Sequence, residues 1–325
     1  MLPTPKIPAL TFRPLRRADA PAMHALERAA YTWGGFPVEP LADFEAAFDA
    51  PADPAADSIA AWDAAGRLVA YGWALDPRAS AREHRIDLWH QVDPDHDRPA
   101  LIDFLLAWME AHARQKAAAL PDDGRPRWLS VWCYADQIDR VARFAQHGYA
   151  PRWSEVFMQR DLSAPLPEPA LPAGVALLGW TPARDDLMRQ AMTAGFADRP
   201  GEAIPPAVWA RTYTGAASFC APLSFVAAVD PAEGVGAVLS HVNPEANARS
   251  PHTEGRIGLI AVRPDWRRRG VAAALLHAAM RGFRDLGLEY TTLSVDVNNT
   301  PTISAYARVG FTEGRRYISF KKVIG

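Results

Sequence analysis

Two stretches of this chain can be laid on one another without a gap. Residues 94–106 read PDHDRPALIDFLL and residues 264–276 read PDWRRRGVAAALL, a constant offset of 170. Further on, His147-Gly148-Tyr149 lies on Val309-Gly310-Phe311 at an offset of 162, the difference being a longer loop, AALPDDGRPR, in the first half. An internal duplication constrains the fold more than any other feature of the sequence. Whatever one half builds, the other is predicted to build again, and 325 residues suffice for each to bury its own core.

The seam between the copies is Asp161–Gly174, DLSAPLPEPALPAG. Its four prolines remove backbone donors and favour extended chain, so it reads as a semi-rigid linker. The predicted boundaries are a first domain over 1–163, a linker over 164–174 and a second domain over 175–325. Both halves follow one order of elements. The first runs LTFRPL, a helix opened near Asp19-Ala-Pro21, then SIAAWD and RLVAYGWAL around the hairpin turn Asp63-Ala-Ala-Gly66. RIDLWHQV follows, then a long amphipathic helix near Arg98–Lys116, WLSVWCY, a short helix ending at Gly148, and VFMQRDL. The second runs VALLGW, a helix opened by Thr181-Pro182, SFVAAV, VGAVLSHV, RIGLIAV, a long helix, TTLSVDV, a short helix to Gly310, and RRYISFKKV.

Charge and composition exclude several classes. A formal net charge of −2 offers no global field for nucleic acid or an anionic membrane. No stretch approaches the apolar length of a membrane span, and MLPTPKIPALTF lacks the pattern of a signal peptide. Cys133 and Cys220 are far apart, with no metal-ligand spacing around them, and read as small buried hydrophobes in a reducing cytoplasm. The expected protein is cytoplasmic, without a metal.

The segment Val262–Ala273, VRPDWRRRGVAA, carries the chemistry. It joins a strand ending at Val262 to a helix with apolar residues at Val271, Leu275, Ala279, Phe283 and Leu286. Three arginines at a helix N-terminus oppose the positive end of the helix dipole, at a cost of roughly 0.3–1 kcal/mol each if solvated and unpaired. Cations and a glycine at such a turn make sense if an anion binds there, because backbone N–H groups then converge on it. A solvated basic turn with Gly270 relieving strain is the plainer alternative.

The wider pattern decides between them. Val262-x-Pro-x-x-Arg267-Arg-Arg-Gly270-Val-Ala272 resembles the pyrophosphate loop of the GNAT superfamily of acyl-CoA N-acyltransferases, Q/R-x-x-G-x-G/A. Val297–Phe311, VNNTPTISAYARVGF, is similar to that family's second signature, an asparagine, then a helix carrying tyrosine, then Gly-Phe. The detailed resemblance covers about Val175–Lys322, and the first half matches in layout only. It implies an α/β (α+β) fold of two tandem GNAT-like domains, each a mixed, mostly antiparallel twisted sheet flanked by helices. RIGLIAV and TTLSVDV would be parallel strands that splay to admit the pantetheine arm of acetyl-CoA or another acyl-CoA. Backbone groups of Ile260, Ala261 and Val262 would pair with the pantetheine amides. The N–H groups of Arg267, Arg268, Arg269, Gly270, Val271 and Ala272 would hold the pyrophosphate. Asn299 would lie beside the cofactor arm, Arg308 would reach a cofactor phosphate, and Tyr306 would hydrogen-bond the departing thiolate.

The activity so implied is N-acetyl transfer to a primary amine of a small molecule or peptide. Full protonation of the thiolate by tyrosine is uphill by roughly 2 kcal/mol from free pKa values, so a hydrogen bond is the role expected of Tyr306. Where the family often has a glutamate early on the strand, this chain has Arg256; Glu254, His241 and Asp296 stand near enough in sequence to be alternative bases. The first half departs at every chemical position, with Asp97 for Arg267, Pro99 for Arg269, Ala100 for Gly270 and Phe144 for Tyr306. It reads as a degenerate copy. A non-catalytic acyl-CoA-binding regulatory module is the competing class, and retention of Tyr306 argues against it. The sequence is silent on the oligomeric state.

Overall fold

Walking along the chain, the elements are β1 (Thr11–Arg13), α1 (Ala20–Ala30), α2 (Leu41–Ala46), α3 (Pro54–Asp57), β2 (Ser58–Trp62), β3 (Leu68–Ala74), β4 (Arg78–Ala79), β5 (His84–Val92), α4 (Pro99–Ala118), β6 (Arg127–Tyr134), α5 (Ile138–Gln146) and β7 (Ala150–Asp161). Then come β8 (Ala176–Gly179), α6 (Asp185–Gly195), α7 (Pro206–Trp209), β9 (Phe225–Asp230), β10 (Glu233–Val242), α8 (Pro244–Asn247), β11 (Glu254–Val262), α9 (Val271–Asp285), β12 (Tyr290–Asp296), α10 (Thr300–Arg308) and β13 (Thr312–Ile324). This computed structural model describes residues 7–31, 38–49, 54–75, 77–79, 83–166, 168, 171–198 and 204–324. Pro167, Pro169 and Ala170 of the predicted linker lie outside the described residues.

Local chemistry accounts for the elements. The β2–β3 hairpin turns on Asp63, whose carboxylate accepts from the N–H groups of Ala65 at 3.0 Å and Arg67 at 2.8 Å. β5 alternates buried and half-buried residues along HRIDLWHQV, the period of a strand with one covered face. α4 begins with Pro99 at its first turn, where a missing donor is harmless, and buries Leu101, Leu105, Leu106, Met109 and Ala113.

The chain divides into two compact units, Met1–Glu155 with Arg315–Gly325, and Val156–Gly314. In the first the strand order is β1-β2-β3-β5-β6-β13, with β4 beside β5. β5 and β6 are parallel, whereas the β1–β2, β2–β3, β3–β5 and β6–β13 pairs are antiparallel. In the second the order is β7-β12-β11-β10-β9-β8, with β11 and β12 parallel and the β8–β9, β9–β10 and β10–β11 pairs antiparallel. Each unit is thus the mixed, mostly antiparallel sheet flanked by helices that the resemblance implied. Apolar clusters form on both faces of each sheet, around α4 and α1 in the first unit and around α9 and α6 in the second.

The division does not follow the boundaries read from the proline-rich seam. RRYISFKKV, expected to close the second domain, pairs with β6 from Tyr317↔Tyr134 to Ile324↔Arg127. Phe320 and Ile324 are buried in the first unit's core. Conversely, Val156, Met158 and Leu162, read as the end of the first domain, lie in the second unit's core. Each unit is closed by a strand from the far end of the other copy.

Candidate active site

In the second unit β11 and β12 pair at Glu254↔Tyr290, Gly255↔Thr291 and Arg256↔Thr292. Among the described residues no later rung joins them, although β11 runs on to Val262 and β12 to Asp296. The other edge of β11 stays paired with β10 as far as Gly236↔Val262. There the register slips, because Leu239 opposes Leu259 while Ser240 opposes Ile257. Gly258 is the extra residue of a β-bulge, which bends its strand and increases its twist and so carries β11 away from β12. Glycine is needed here, since a Cβ at 258 would lie 2.5 Å from the His241 ring. Ile260, Ala261 and Val262 therefore line an opened strand edge.

That edge leads into the basic turn. Arg268 has φ 59° and Gly270 φ 89°, two left-handed residues that fold the backbone tightly ahead of α9. Gly270 is the N-cap, it provides no side-chain cap, and the first turn of α9 holds no acidic residue. Ala274 donates to the Gly270 carbonyl at 3.0 Å, so the N–H groups of Val271 and Ala272 precede the first bond of the helix ladder. The arginines divide into two kinds. Arg267 is committed, its guanidinium donating to the Val262 carbonyl at 3.1 Å, the Gly195 carbonyl at 2.9 Å and the Asp198 carboxylate at 2.9 Å. Arg268 is exposed and has no acidic partner among the described residues, and Arg269 lies with its guanidinium 4.9 Å from the Trp266 ring centre. The Arg267 side chain thus braces the turn, while Arg268 and Arg269 form no salt bridge among the described residues, Arg269 sensing only the nearby Asp265.

Across the wedge, α10 is capped by Asn299, whose side-chain oxygen accepts from the Thr302 N–H at 3.4 Å. Tyr306 is buried, its ring 5.8 Å from that of Phe311. Arg308 is exposed in the last turn. Of the alternative bases, Asp296 is taken up locally, accepting from the N–H of Asn298 at 2.8 Å and from its side chain at 3.1 Å. His241 and Arg256 are opposite one another on β10 and β11. The His241 Nδ1 lies 3.2 Å from the Ser218 hydroxyl, and burial, with Arg256 adding, holds its pKa down to about 4. Glu254, two residues before Arg256, is 8% exposed; its backbone bonds the Asn247 side chain, and no donor among the described residues hydrogen-bonds its carboxylate. Burial lifts it to about 7 against the opposing pull of Arg256. The bulge and the His241–Ser218 contact were not read from the sequence; a glycine inside the strand RIGLIAV was the available signal.

Two units, each with a parallel strand pair that parts ahead of a long helix, have the layout expected of tandem GNAT-like domains. The chain is similar along 97% of its length to the GCN5-related N-acetyltransferase of Sphaerobacter thermophilus, with a TM-score of 0.75 and 22% identity over 96% of that chain. It is likewise similar to a tandem GNAT protein of the clavulanic acid biosynthesis pathway, with a TM-score of 0.69 and 18% identity, covering 97% of this chain and 99% of that one. At those identities the likeness is one of fold. Residues 187–311 match the acetyltransferase (GNAT) family, and the chain carries that family's domain there. Among curated relatives, the mycothiol acetyltransferase of Salinispora arenicola is 32% identical over 201 residues, 60% of this chain and 63% of that protein. The mycothiol acetyltransferase of Pseudarthrobacter chlorophenolicus is 32% identical over 190 residues, 57% of each. The chain therefore spans somewhat less than two thirds of these relatives. No helix among the described residues is long and apolar enough to cross a membrane.

Proposed function

We propose that the second unit transfers an acetyl group from acetyl-CoA, or a related acyl-CoA, to a primary amine of a small molecule. One observation carries the reading: the opened edge of β11 runs directly into a helix N-terminus with no side-chain cap, flanked by Arg268 and Arg269, which form no salt bridge among the described residues. The edge at Ile260–Val262 suits an extended amide-bearing arm, and the turn from Arg267 to Ala272 suits its pyrophosphate. Arg268, Arg269 and Arg308 add cationic charge, Asn299 orders the start of α10, and Tyr306 is the hydroxyl offered to the sulfur.

In the reaction the amine nitrogen attacks the thioester carbon. The C–N bond forms, the oxygen takes up negative charge against backbone N–H groups near the bulge, and the C–S bond then breaks with its electron pair on sulfur. Tyr306 donates a hydrogen bond to that thiolate. The proton lost by the amine passes through water to Glu254, a carboxylate whose ionisation near neutrality matches the task of a general base. His241 stays neutral and fixes the bulge. The relatives, named for acetyl transfer in mycothiol, favour a small-molecule acceptor.

The direct test is to incubate the purified chain with acetyl-CoA and a panel of small amines, following free thiol and the mass of the acylated amine. Amine-dependent thiol release with matching product is expected. Binding of acetyl-CoA with no turnover on any amine would instead identify a sensor.

A further inference from the structure

In the second unit, α6 ends directly on the opened edge of β11. A Cβ built at Gly195, the last residue of α6, would lie 2.6 Å from the Ala261 Cβ and 3.0 Å from the Val262 nitrogen. Helix backbone and strand backbone therefore meet with no side chain between them, at two of the three residues that line the edge.

The last carbonyls of a helix have no partner within it, and the helix dipole places partial negative charge among them. At α6 that end is met by Arg267, the first residue of the basic turn. Its Nη2 donates to the Gly195 carbonyl at 2.9 Å and to the Asp198 carboxylate at 2.9 Å. Its Nη1 donates to the other Asp198 oxygen, and its Nε to the Val262 carbonyl at 3.1 Å. One planar guanidinium thus joins the end of the helix, the end of the strand edge and the start of the turn. Only a rigid fork of donors can do this, since an ammonium is a point charge on a flexible stem. The two-pronged bond to Asp198 sets the orientation of the fork. In the first unit Asp97, which aligns with Arg267, bonds Arg140 of α5 instead, so the tie to α6 belongs to the second unit.

Two roles for Arg267 have opposite consequences at Asp198. If the guanidinium neutralises the pyrophosphate, Asp198 competes with the ligand, and removing its charge strengthens binding. If the guanidinium holds the turn in place while backbone N–H groups bind, Asp198 supports a ligand it never touches, and removing its charge weakens binding. All three guanidinium nitrogens are already engaged, two of them on backbone carbonyls of the elements that border the edge. The geometry favours the second role.

We propose, on the premise of acyl-CoA binding in the second unit, that Asp198 is a positioning residue for that ligand. Acting through Arg267, it fastens the end of α6 to Val262 and fixes the N–H groups of the turn relative to the strand edge. The ordering of the turn is then completed on folding, and binding does not have to bear its cost.

Calorimetric titration of the intact chain with acetyl-CoA tests this. Asp198→Asn should weaken binding by about fivefold or more. Arg267→Lys, which keeps the charge and loses the fork, should weaken it by about tenfold or more. The double variant should bind no more weakly than Arg267→Lys alone, because the two changes break the same tie. Both side chains are about half-exposed, and such pairs add little to stability, so the unliganded variants should melt close to the parent. A merely structural pair would show the reverse, a lower Tm at unchanged affinity. Binding by Asp198→Asn that equals or exceeds the parent's, or parental affinity in Arg267→Lys, would overturn the role of Asp198 and leave acyl-CoA binding standing. A parent chain that binds no acetyl-CoA would remove the premise and the role together.

Discussion

The wedge at β11 and β12 and the wedge at β5 and β6 open after a few parallel rungs, yet they are finished by opposite chemistry. In the second unit the strand edge runs into Arg268, Arg269 and Gly270, with no acid in the first turn of the helix. In the first it runs into Asp93, whose carboxylate accepts from the Asp95 N–H at 2.9 Å, and then into Pro99, which has no N–H to offer. Asp97 is bound to Arg140 where Arg267 is bound to Asp198. Phe144 is fully buried where Tyr306 stands. The opening therefore belongs to the architecture and is present whether a basic or an acidic turn follows it.

The comparison can be broken most severely by cutting the chain at the proline-rich seam. Residues 171–325 lack the Val156–Asp161 strand and carry β13 without β6, so this fragment should be insoluble, whereas 156–314 should yield soluble, folded protein. Recovery of folded 171–325 would show that the exchange of closing strands is dispensable. Next in size is Tyr306→Phe, expected to lower kcat by about 10²–10⁴-fold with little change in acetyl-CoA affinity. Its mirror, Phe144→Tyr, should give the first unit no activity; equal kcat for Tyr306→Phe and the parent would remove Tyr306 from the mechanism.

Gly270→Glu puts a side chain at φ 89° and a carboxylate among the N–H groups. Calorimetry should show the single acetyl-CoA site weakened by about 100-fold or more, since strain and charge each contribute a kcal/mol or more. Ala100→Glu in the first unit should change nothing, and two sites per parent chain would end the assignment of this wedge alone. The smallest effect is on stability. Glu254 has its folded pKa raised from 4.5 to about 7, so its protonated form stabilises the fold fully below pH 4.5. That contribution is lost as pH rises through 7 and amounts to on the order of 3 kcal/mol. Glu254→Gln should therefore gain in Tm relative to the parent between pH 4.5 and 8, and parallel Tm profiles would mean that the carboxyl is not perturbed.

Much of this was legible in the sequence because it is local. The Asp63 turn, the alternation of HRIDLWHQV and the basic turn before α9 are each specified by neighbours in the chain. What was not legible is the choice of distant partners. VFMQRDL and RRYISFKKV are both apolar-rich, strand-forming segments, and nothing within either says which sheet it joins. Likewise the commitment of Arg267 to Asp198 depends on where α6 ends. The parting of β5 and β6 in the first unit was not legible either, because Asp97, Pro99, Ala100 and Phe144 mark only departures from the motif and say nothing of strand pairing.

The placement of β13 also sets the order in which the molecule can be finished during synthesis. The second unit has all its strands once residue 296 has been made, since β7 precedes it. The first must wait for residues 315–324, roughly 180 residues after β6, or roughly 10–40 s at ordinary elongation rates. Over that interval β6 presents an unpaired edge beside Trp132, a template for any other strand in reach. The half made first is completed last, and a nascent chain is most exposed to wrong partners while its second unit is already assembling.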